Sequence, residues 1–400
     1  MIEIKKEVVF HFLDSEWESD HRRAHIEALS KHFTQTVCIL PPVTFLNLKR
    51  LFLKKKKVKE VRESISFFRP FIPMPFGLSF YSGFLCFVNH IFLRLNFLSL
   101  KKKYKDFKKI AFFTCPAHLP VIKSLNEDIT CFNYYDAYCK HPVILKTIFR
   151  KRLMLKKEQK CLKKSDVVFV TAKNLEIEKK KQHLATYYVP NSADIDFFKN
   201  VDFLEKAFDD IAKIPNPRIG LIGNINELVD IDLLQYLATN NPKWQIILIG
   251  KINGTGKFKK SNKLKKMFSM QNIHYLGFKR YLDLPLYQNS LDVCLLPYKV
   301  NDYTDCINPN KLYQYLAQKK KIVSTNMKEV RLFKEKEKIL GNFVYLASNY
   351  KYFEKDVSLI LNRNYISEYK NDERKWLEKL NCHSKNTRAL EIKNILKNIF

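Results

Sequence analysis

The feature that most constrains this chain is an alternation of short apolar runs with helix-spaced segments, passed through twice. Glu7–Phe12 (Glu-Val-Val-Phe-His-Phe) reads as a strand, residues 25–33 repeat apolar side chains at helical spacing, and 36–40 read as a second strand ending at Pro41-Pro42. That is the opening of a βαβ unit. Further strands are expected at 110–114, Ile129–Tyr134, 166–171 and 187–189, with a basic helix over 151–162. The second half repeats the plan, with strands at Arg218–Ile222, Gln245–Ile249, 273–276, 292–296, 322–324 and 343–346. Helices fit at 227–239, 283–289, 309–317 and 328–334. Strands and helices alternating through short connections demand a parallel sheet covered on both faces. The 400 residues suffice for two cores. The expected architecture is therefore α/β, with a first doubly wound, Rossmann-like domain over 1–195 and a second over 196–375. Residues 376–400 form a helix too polar to make its own core, which is expected to pack back on the first domain.

The formal net charge is +31, from 71 Lys and Arg against 40 Asp and Glu. Such a surface attracts nucleic acid, anionic lipid or acidic small molecules alike. The clusters at 54–57, 101–103, 163–164, 179–181 and 319–321 come without zinc-finger spacing, an RNP-type aromatic motif or a basic zipper, so no nucleic-acid partner is expected. Residues 71–93 contain no Lys, Arg, Asp or Glu, and two of the lysine clusters flank them. By length the stretch could cross a bilayer, but Pro73, Pro75, Gly77 and Gly83 interrupt it. A buried helix and a membrane-docking surface are the other readings. Nine cysteines at irregular spacing, and a start that runs into a strand without an apolar leader, read as free thiols in a reducing cytoplasm.

The chemistry concentrates where strands end. Residues 308–321 (Asn-Pro-Asn-Lys-Leu-Tyr-Gln-Tyr-Leu-Ala-Gln-Lys-Lys-Lys) follow one apolar run and precede another. Pro309 suits the first position of a helix, and Asn308 is expected to cap it. Lys311, Gln314 and Gln318 would share one face, and Leu312, Tyr315 and Leu316 another. The positive end of a helix at the carboxyl end of a sheet is where phosphates bind in open α/β folds. Gly220-Leu-Ile-Gly223-Asn224, Gly250-Lys251 and Leu276-Gly277-Phe278-Lys279-Arg280-Tyr281 end three other strands. Gly223 would let a diphosphate approach the backbone, Lys251 would meet phosphate, and Phe278 and Tyr281 could stack on a base. In the first half, the loop carrying Trp17, Arg22 and Arg23, then His118 and Asp136, also lie just past strands.

Val-Pro-Asn-Ser-Ala-Asp at 189–194, Gly-Leu-Ile-Gly-Asn, Ile-Ile-Leu-Ile-Gly, Ile-His-Tyr-Leu-Gly-Phe, Leu-Asp-Val-Cys-Leu-Leu-Pro-Tyr and Asn-Pro-Asn-Lys-Leu-Tyr-Gln-Tyr-Leu-Ala together resemble the donor half of a GT-B glycosyltransferase. The resemblance is to glycosyltransferase family 4 and its teichuronic-acid-type relatives, over about residues 165–345. It implies two Rossmann-like domains with a cleft between them and a UDP- or GDP-sugar as donor substrate. It implies no separate cofactor and no metal. The transfer would retain configuration and would elongate a glycan or lipid-linked acceptor in bacterial surface polysaccharide synthesis. The enzyme would be cytoplasmic and peripheral on the anionic inner face of the plasma membrane. Carried over by position, Gly223, Asn224, Lys251, Gly277, Phe278, Tyr281, Asn308, Lys311 and Gln314 would bind donor. Trp17, Arg22 and Arg23 would face acceptor, and His118, Asp136 and Lys311 would serve catalysis. Gln314 stands where relatives carry a Glu for two ribose hydroxyls, and Cys306 eight residues earlier removes a Glu-x7-Glu pair. An amide has one acceptor oxygen where a carboxylate has two, so donor affinity is expected to drop by on the order of 1 kcal/mol. A non-catalytic surface-binding homologue and a sugar-nucleotide epimerase are the rival readings.

Overall fold

The apolar runs of the first half become one seven-stranded sheet: β1 (Glu7–Phe12), β2 (Gln35–Ile39), β3 (Ile65–Phe68), β4 (Lys108–Phe113), β5 (Ile129–Tyr134), β6 (Val167–Val170) and β7 (Thr186–Tyr188). Their order is β3-β2-β1-β4-β5-β6-β7, and every pairing is parallel. The computed structural model describes residues 6–17, 22–45, 64–75, 82–141, 147–200, 208–362 and 373–399. The lysine run at 54–57 lies outside these.

Phe10 pairs with Val37 on one side and Ala111 on the other, and all three are buried. Central strands covered on both faces need apolar side chains in both directions, so they read as continuous runs instead of alternating ones. β3 escaped the sequence reading: it is a four-residue edge strand with one buried residue, Ile65.

The second half gives a six-stranded parallel sheet: β8 (Arg218–Ile222), β9 (Gln245–Ile249), β10 (Ile273–Gly277), β11 (Val293–Leu296), β12 (Ile322–Thr325) and β13 (Val344–Ala347). The order is β10-β9-β8-β11-β12-β13. Two apolar clusters fill its faces, one around Ile222, Leu296, Tyr315 and Trp376, the other around Leu221, Leu234, Leu295 and Phe353.

Contacts divide the chain into one unit of 1–190 with 389–400 and another of 191–388. In the first, Ala389, Ile392 and Leu396 pack with Val9, Phe112 and Ile129, and Lys393 forms an ion pair with Glu7. In each sheet the chain winds outward from its first strand to one edge, then returns to that strand's other side. This places a topological switch point between β1 and β4 and another between β8 and β11, where strand-end loops diverge and leave a crevice.

Candidate functional site

In the second unit, the helix Asn310–Ala317 is tied to the switch point by Tyr315, whose hydroxyl accepts the backbone N–H of Ile222 at 3.0 Å. Tyr315, Leu312 and Leu316 are buried, as the helical spacing predicts. Lys311, four residues before Tyr315, is aimed over the end of β8. A Cβ built on Gly223 would stand 2.5 Å from Lys311 Cε and 3.2 Å from Nζ. Only a residue without a side chain lets the lysine lie there. Gly223 thus makes room for a cation; its own N–H is spent on the Ile249 carbonyl at 2.7 Å, so it is not the free donor anticipated from sequence. Gly250 has φ +142°, and its added Cβ would fall 2.0 Å from the Gly223 carbonyl oxygen.

The Lys311 ammonium has no carboxylate or carbonyl partner among the described residues. Desolvation pulls its pKa down to about 8. A half-buried cation without a counter-charge favours any anion that enters. Gln314, on the next turn, keeps its side-chain amide unbonded among the described residues, while its carbonyl accepts from Gln288 Nε2 at 2.8 Å. Gln318 diverges from the expected shared face: its Nε2 donates to the Phe198 and Pro285 carbonyls.

Asn308 differs from expectation. Pro309 occupies the N-cap position with no side-chain cap bond. Asn308 is buried, with its Nδ2 donating to Glu329 at 3.1 Å and its carbonyl accepting from Asn191 Nδ2 at 2.7 Å. It braces the turn that launches the helix. Proline's fixed φ leaves no geometry for Asn308 to reach back over the first turn.

Beside Gly250, Lys251 Nζ lies 4.5 Å over the Phe278 ring, and Phe278 is exposed. Tyr281 stacks on Phe197 at 4.9 Å with an interplanar angle of 10°, meets Phe198 edge-on at 5.8 Å, and is partly exposed. Asn224 is exposed past β8, and Gly277 turns the chain at the end of β10 with φ +70°. These residues line the carboxyl ends of β8, β9 and β10. Cys306 is fully buried, with Sγ to the Asp302 carbonyl.

The sequence reading missed a cleft of about 330 Å³ at the carboxyl ends of β11, β12 and β13. Tyr298, Thr325, Asn326, Arg331 and Tyr350 line it, and Arg331 Nη1 donates to Asn326 Oδ1 at 3.3 Å. Tyr298, Asn326 and Ser348 each follow a strand within two residues, and that position was the available signal.

In the first unit, a polar cluster fills its own switch point. Arg22 is buried, bonding Thr114 Oγ1 at 2.7 Å and Asp14 at 2.6 Å. His118 is buried in the turn Pro116–Val121, where its Nδ1 accepts the Thr114 N–H at 3.4 Å; this assigns the proton to Nε2. Burial drives its pKa down to about 4, with Asp14 opposing and Arg22 adding. Asp136 is pushed up, first by burial, then by the Asp14 charge, with Arg22 working against both. The cluster therefore presents a neutral imidazole and a carboxyl held above its ordinary range.

Trp17 and Arg23 do not join the cluster. Trp17 is buried against Phe67 at 5.2 Å, and Arg23 lies 5.5 Å over the Trp17 ring while pairing with Glu27 at 2.8 Å. Trp17 anchors its loop, as an apolar ring beside a sheet edge does, and Arg23 is a helix-surface charge.

Two parallel sheets with these switch points define the GT-B glycosyltransferase fold. Over 99% of both chains, the protein superposes on sucrose-phosphate synthase of Thermosynechococcus elongatus with a TM-score of 0.72 at 13% identity. It is similar to Anabaena HepE solved with UDP and glucose (TM-score 0.62, 10% identity, 98% and 99% covered) and to a glycosyltransferase of Rickettsia africae (0.63, 13%, 98% of each). In sequence, it is similar to a protein of Bacillus subtilis (strain 168) provisionally named the teichuronic acid biosynthesis glycosyltransferase TuaH, at 27% identity over 111 residues. That match spans 27% of this chain and 26% of the relative's length. No family model matches the chain.

Proposed function

We propose that this protein is a glycosyltransferase that takes a sugar from a UDP- or GDP-sugar and delivers it to a glycan or lipid-linked acceptor in bacterial surface polysaccharide synthesis. The observation that carries the reading is Lys311: a half-buried ammonium with no counter-anion among the described residues, held over the glycine at the end of β8. The solved relatives with UDP or UDP-glucose bound, and the stretch similar to TuaH, point the same way.

The donor diphosphate sits against Lys311, Asn224 and the start of the Asn310–Ala317 helix. Asn308 holds that turn, and Lys251 adds a second cation. The exposed Phe278 and Tyr281 meet the base beside the Gly277 turn, and Gln314 reaches the ribose. Cleavage of the bond between sugar and diphosphate leaves negative charge on the departing phosphate. Lys311 neutralises it where desolvation makes the interaction strong. Transfer retains configuration and needs no metal. On the acceptor side, neutral His118 donates from Nε2, and Asp136, its pKa raised, accepts or holds a proton. The enzyme works in the cytoplasm, peripheral on the inner membrane face.

Calorimetry against a panel of UDP- and GDP-sugars tests this, followed by incubation with native lipid extract read by mass spectrometry. Saturable binding of one donor, weakened in Lys311→Ala, is expected. Absence of binding to every nucleotide sugar would sink the proposal.

A further inference from the structure

The helix Gly83–Asn96 is built inside out. Its inward side carries Asn89, fully buried and bonded to Met74 through its Oδ1 (3.2 Å, from the N–H) and its Nδ2 (2.8 Å, to the carbonyl). Asn96 likewise exchanges two bonds of 3.0 Å with the backbone of Phe71. Its outward side carries Phe84, Phe87, Ile91 and Leu95, and Leu98 continues the line into the next short helix. Their exposures are 74%, 61%, 41%, 58% and 56%. Spacings of three, four, four and three put them on one stripe. A solvent-facing helix reverses this arrangement, with polar groups outward.

The charges beside the stripe are all of one sign. No Asp or Glu occurs from Phe71 to Lys105, whereas Arg94 and Lys101–Lys103 do. The helix Ile148–Lys164 packs, like Gly83–Asn96, on the turn Pro116–Val121. Both helices thus flank the same turn. This second helix begins with exposed Ile148 and Phe149, followed by exposed Arg150, Lys151 and Arg152. Its single acid, Glu158, is buried against Lys179 at 2.6 Å.

We infer that this face is a bilayer-docking surface: the Phe84–Leu98 stripe, with Ile148 and Phe149, enters the headgroup region of an anionic membrane while the neighbouring lysines and arginines meet its lipid phosphates. Apolar stripe and uniformly basic border together define an interfacial helix. Residues Gly83–Lys103 are long and apolar enough to span a bilayer, with a mean hydropathy of 1.4 over their most apolar window. The inward contacts decide against spanning, because Leu93 and Phe97 are buried and Phe97 meets Phe12 and Phe68 edge-on or tilted. Crossing would strip these contacts and expose two asparagines to hydrocarbon. The helix therefore lies flat.

The turn these two helices flank is the one that carries His118, and His90 bonds the Pro120 carbonyl within it. Docking would hold the His118 cluster at the interface, where an acceptor carried on a lipid presents its sugar. This last step rests on the transferase reading; the docking surface itself stands on the first unit alone.

The test is co-sedimentation of the full chain with vesicles of phosphatidylcholine and phosphatidylglycerol (7:3), and of phosphatidylcholine alone, at two salt concentrations. The wild type is expected to pellet with the anionic vesicles and to release as salt rises. Each basic residue near an anionic surface is worth about fivefold in partitioning. Arg150→Gln/Lys151→Gln/Arg152→Gln should therefore lose about 100-fold on anionic vesicles and little on neutral ones. Phe84→Ser/Phe87→Ser/Leu95→Ser, all at exposed sites, should lose at least tenfold on both. Wild type that stays in solution overturns the inference, as does pelleting unchanged in both variants. A dimer that the serine variant dissolves, with vesicle binding intact, overturns it in favour of a second copy of this chain. UDP calorimetry on the same variants should be unchanged, so failure of the donor reading and failure of docking are told apart.

Discussion

Lys311 Cε occupies the space that a Cβ on Gly223 would need, with 2.5 Å between them. Gly223→Ala must therefore displace the lysine, and at φ +159° it also strains the strand end. Donor affinity should fall about tenfold or more, with a modest drop in thermal stability of the second unit. Calorimetry and a melting curve on the same variant check both halves.

Removing the cation itself should act on the chemical step. Lys311→Ala is expected to lower turnover about 10²- to 10³-fold, the cost of losing one preorganised charge at a developing anion. The KM for donor should rise by a smaller factor, since the phosphate already carries charge in the ground state. A rise in KM with turnover unchanged would make Lys311 a binding residue alone.

The depressed pKa of Lys311 gives donor binding a proton signature. In the free protein the group titrates at about 8. A bound diphosphate raises that value by placing negative charge beside the ammonium. At pH 8 binding should take up about half a proton, and at pH 6.5 none, because the lysine is already charged. Affinity should fall as pH rises above 8. Calorimetry in buffers of different ionisation enthalpy reads the uptake directly, and Lys311→Ala should abolish it.

Gln314→Glu should tighten donor binding about fivefold, close to 1 kcal/mol, by supplying two acceptor oxygens to a ribose diol. The amide is unbonded among the described residues, so the change costs no existing hydrogen bond. Unchanged affinity would show that this helix face does not meet the ribose.

His118 makes a prediction about stability and pH. Its pKa is about 4 in the folded chain against 6.5 when exposed. Between those values the unfolded state binds more protons, so folding weakens as pH falls from 6.5 towards 4. The contribution at pH 5 is on the order of 2 kcal/mol. Urea midpoints at pH 7 and pH 5 should separate less in His118→Asn than in the parent. Activity between pH 6 and 7.5 should carry no titration from this imidazole, which stays neutral throughout.

What could be read in the sequence follows burial. β1, β4, β5, β8, β9 and β11 are covered on both faces, and their unbroken apolar runs announce them. β3, short and at an edge, carries too little apolar signal to be found. The glycines at 223 and 250 were visible as strand-end residues, but their purpose was not: it depends on Lys311 and on the neighbouring strand, both distant in sequence. Asn308 had the composition of a cap and became a brace: its Nδ2 donates to Glu329 and its backbone carbonyl accepts from Asn191, while its Oδ1, the capping atom, takes no helix N–H among the described residues. Trp17 and Arg23 share the Arg22 loop, yet only Arg22 turns towards Thr114 and Asp14; one residue of spacing decides which face of a helix start a side chain takes. The uncharged stretch at 71–93 announced an apolar segment without saying which way it faces, since asparagine and phenylalanine alike can be satisfied on either side.

Gly250 bears on how this chain can change over generations. A methyl group there meets the Gly223 carbonyl oxygen at 2.0 Å, a backbone atom that cannot rotate aside. Gly256, six residues further on at the start of a short helix, has nothing within 4 Å. In a library covering every substitution, position 250 should admit glycine alone, while position 256 accepts most residues. The two strands ending at 223 and 250 are thus locked to each other's spacing, and drift in one can be fixed only by simultaneous drift in the other.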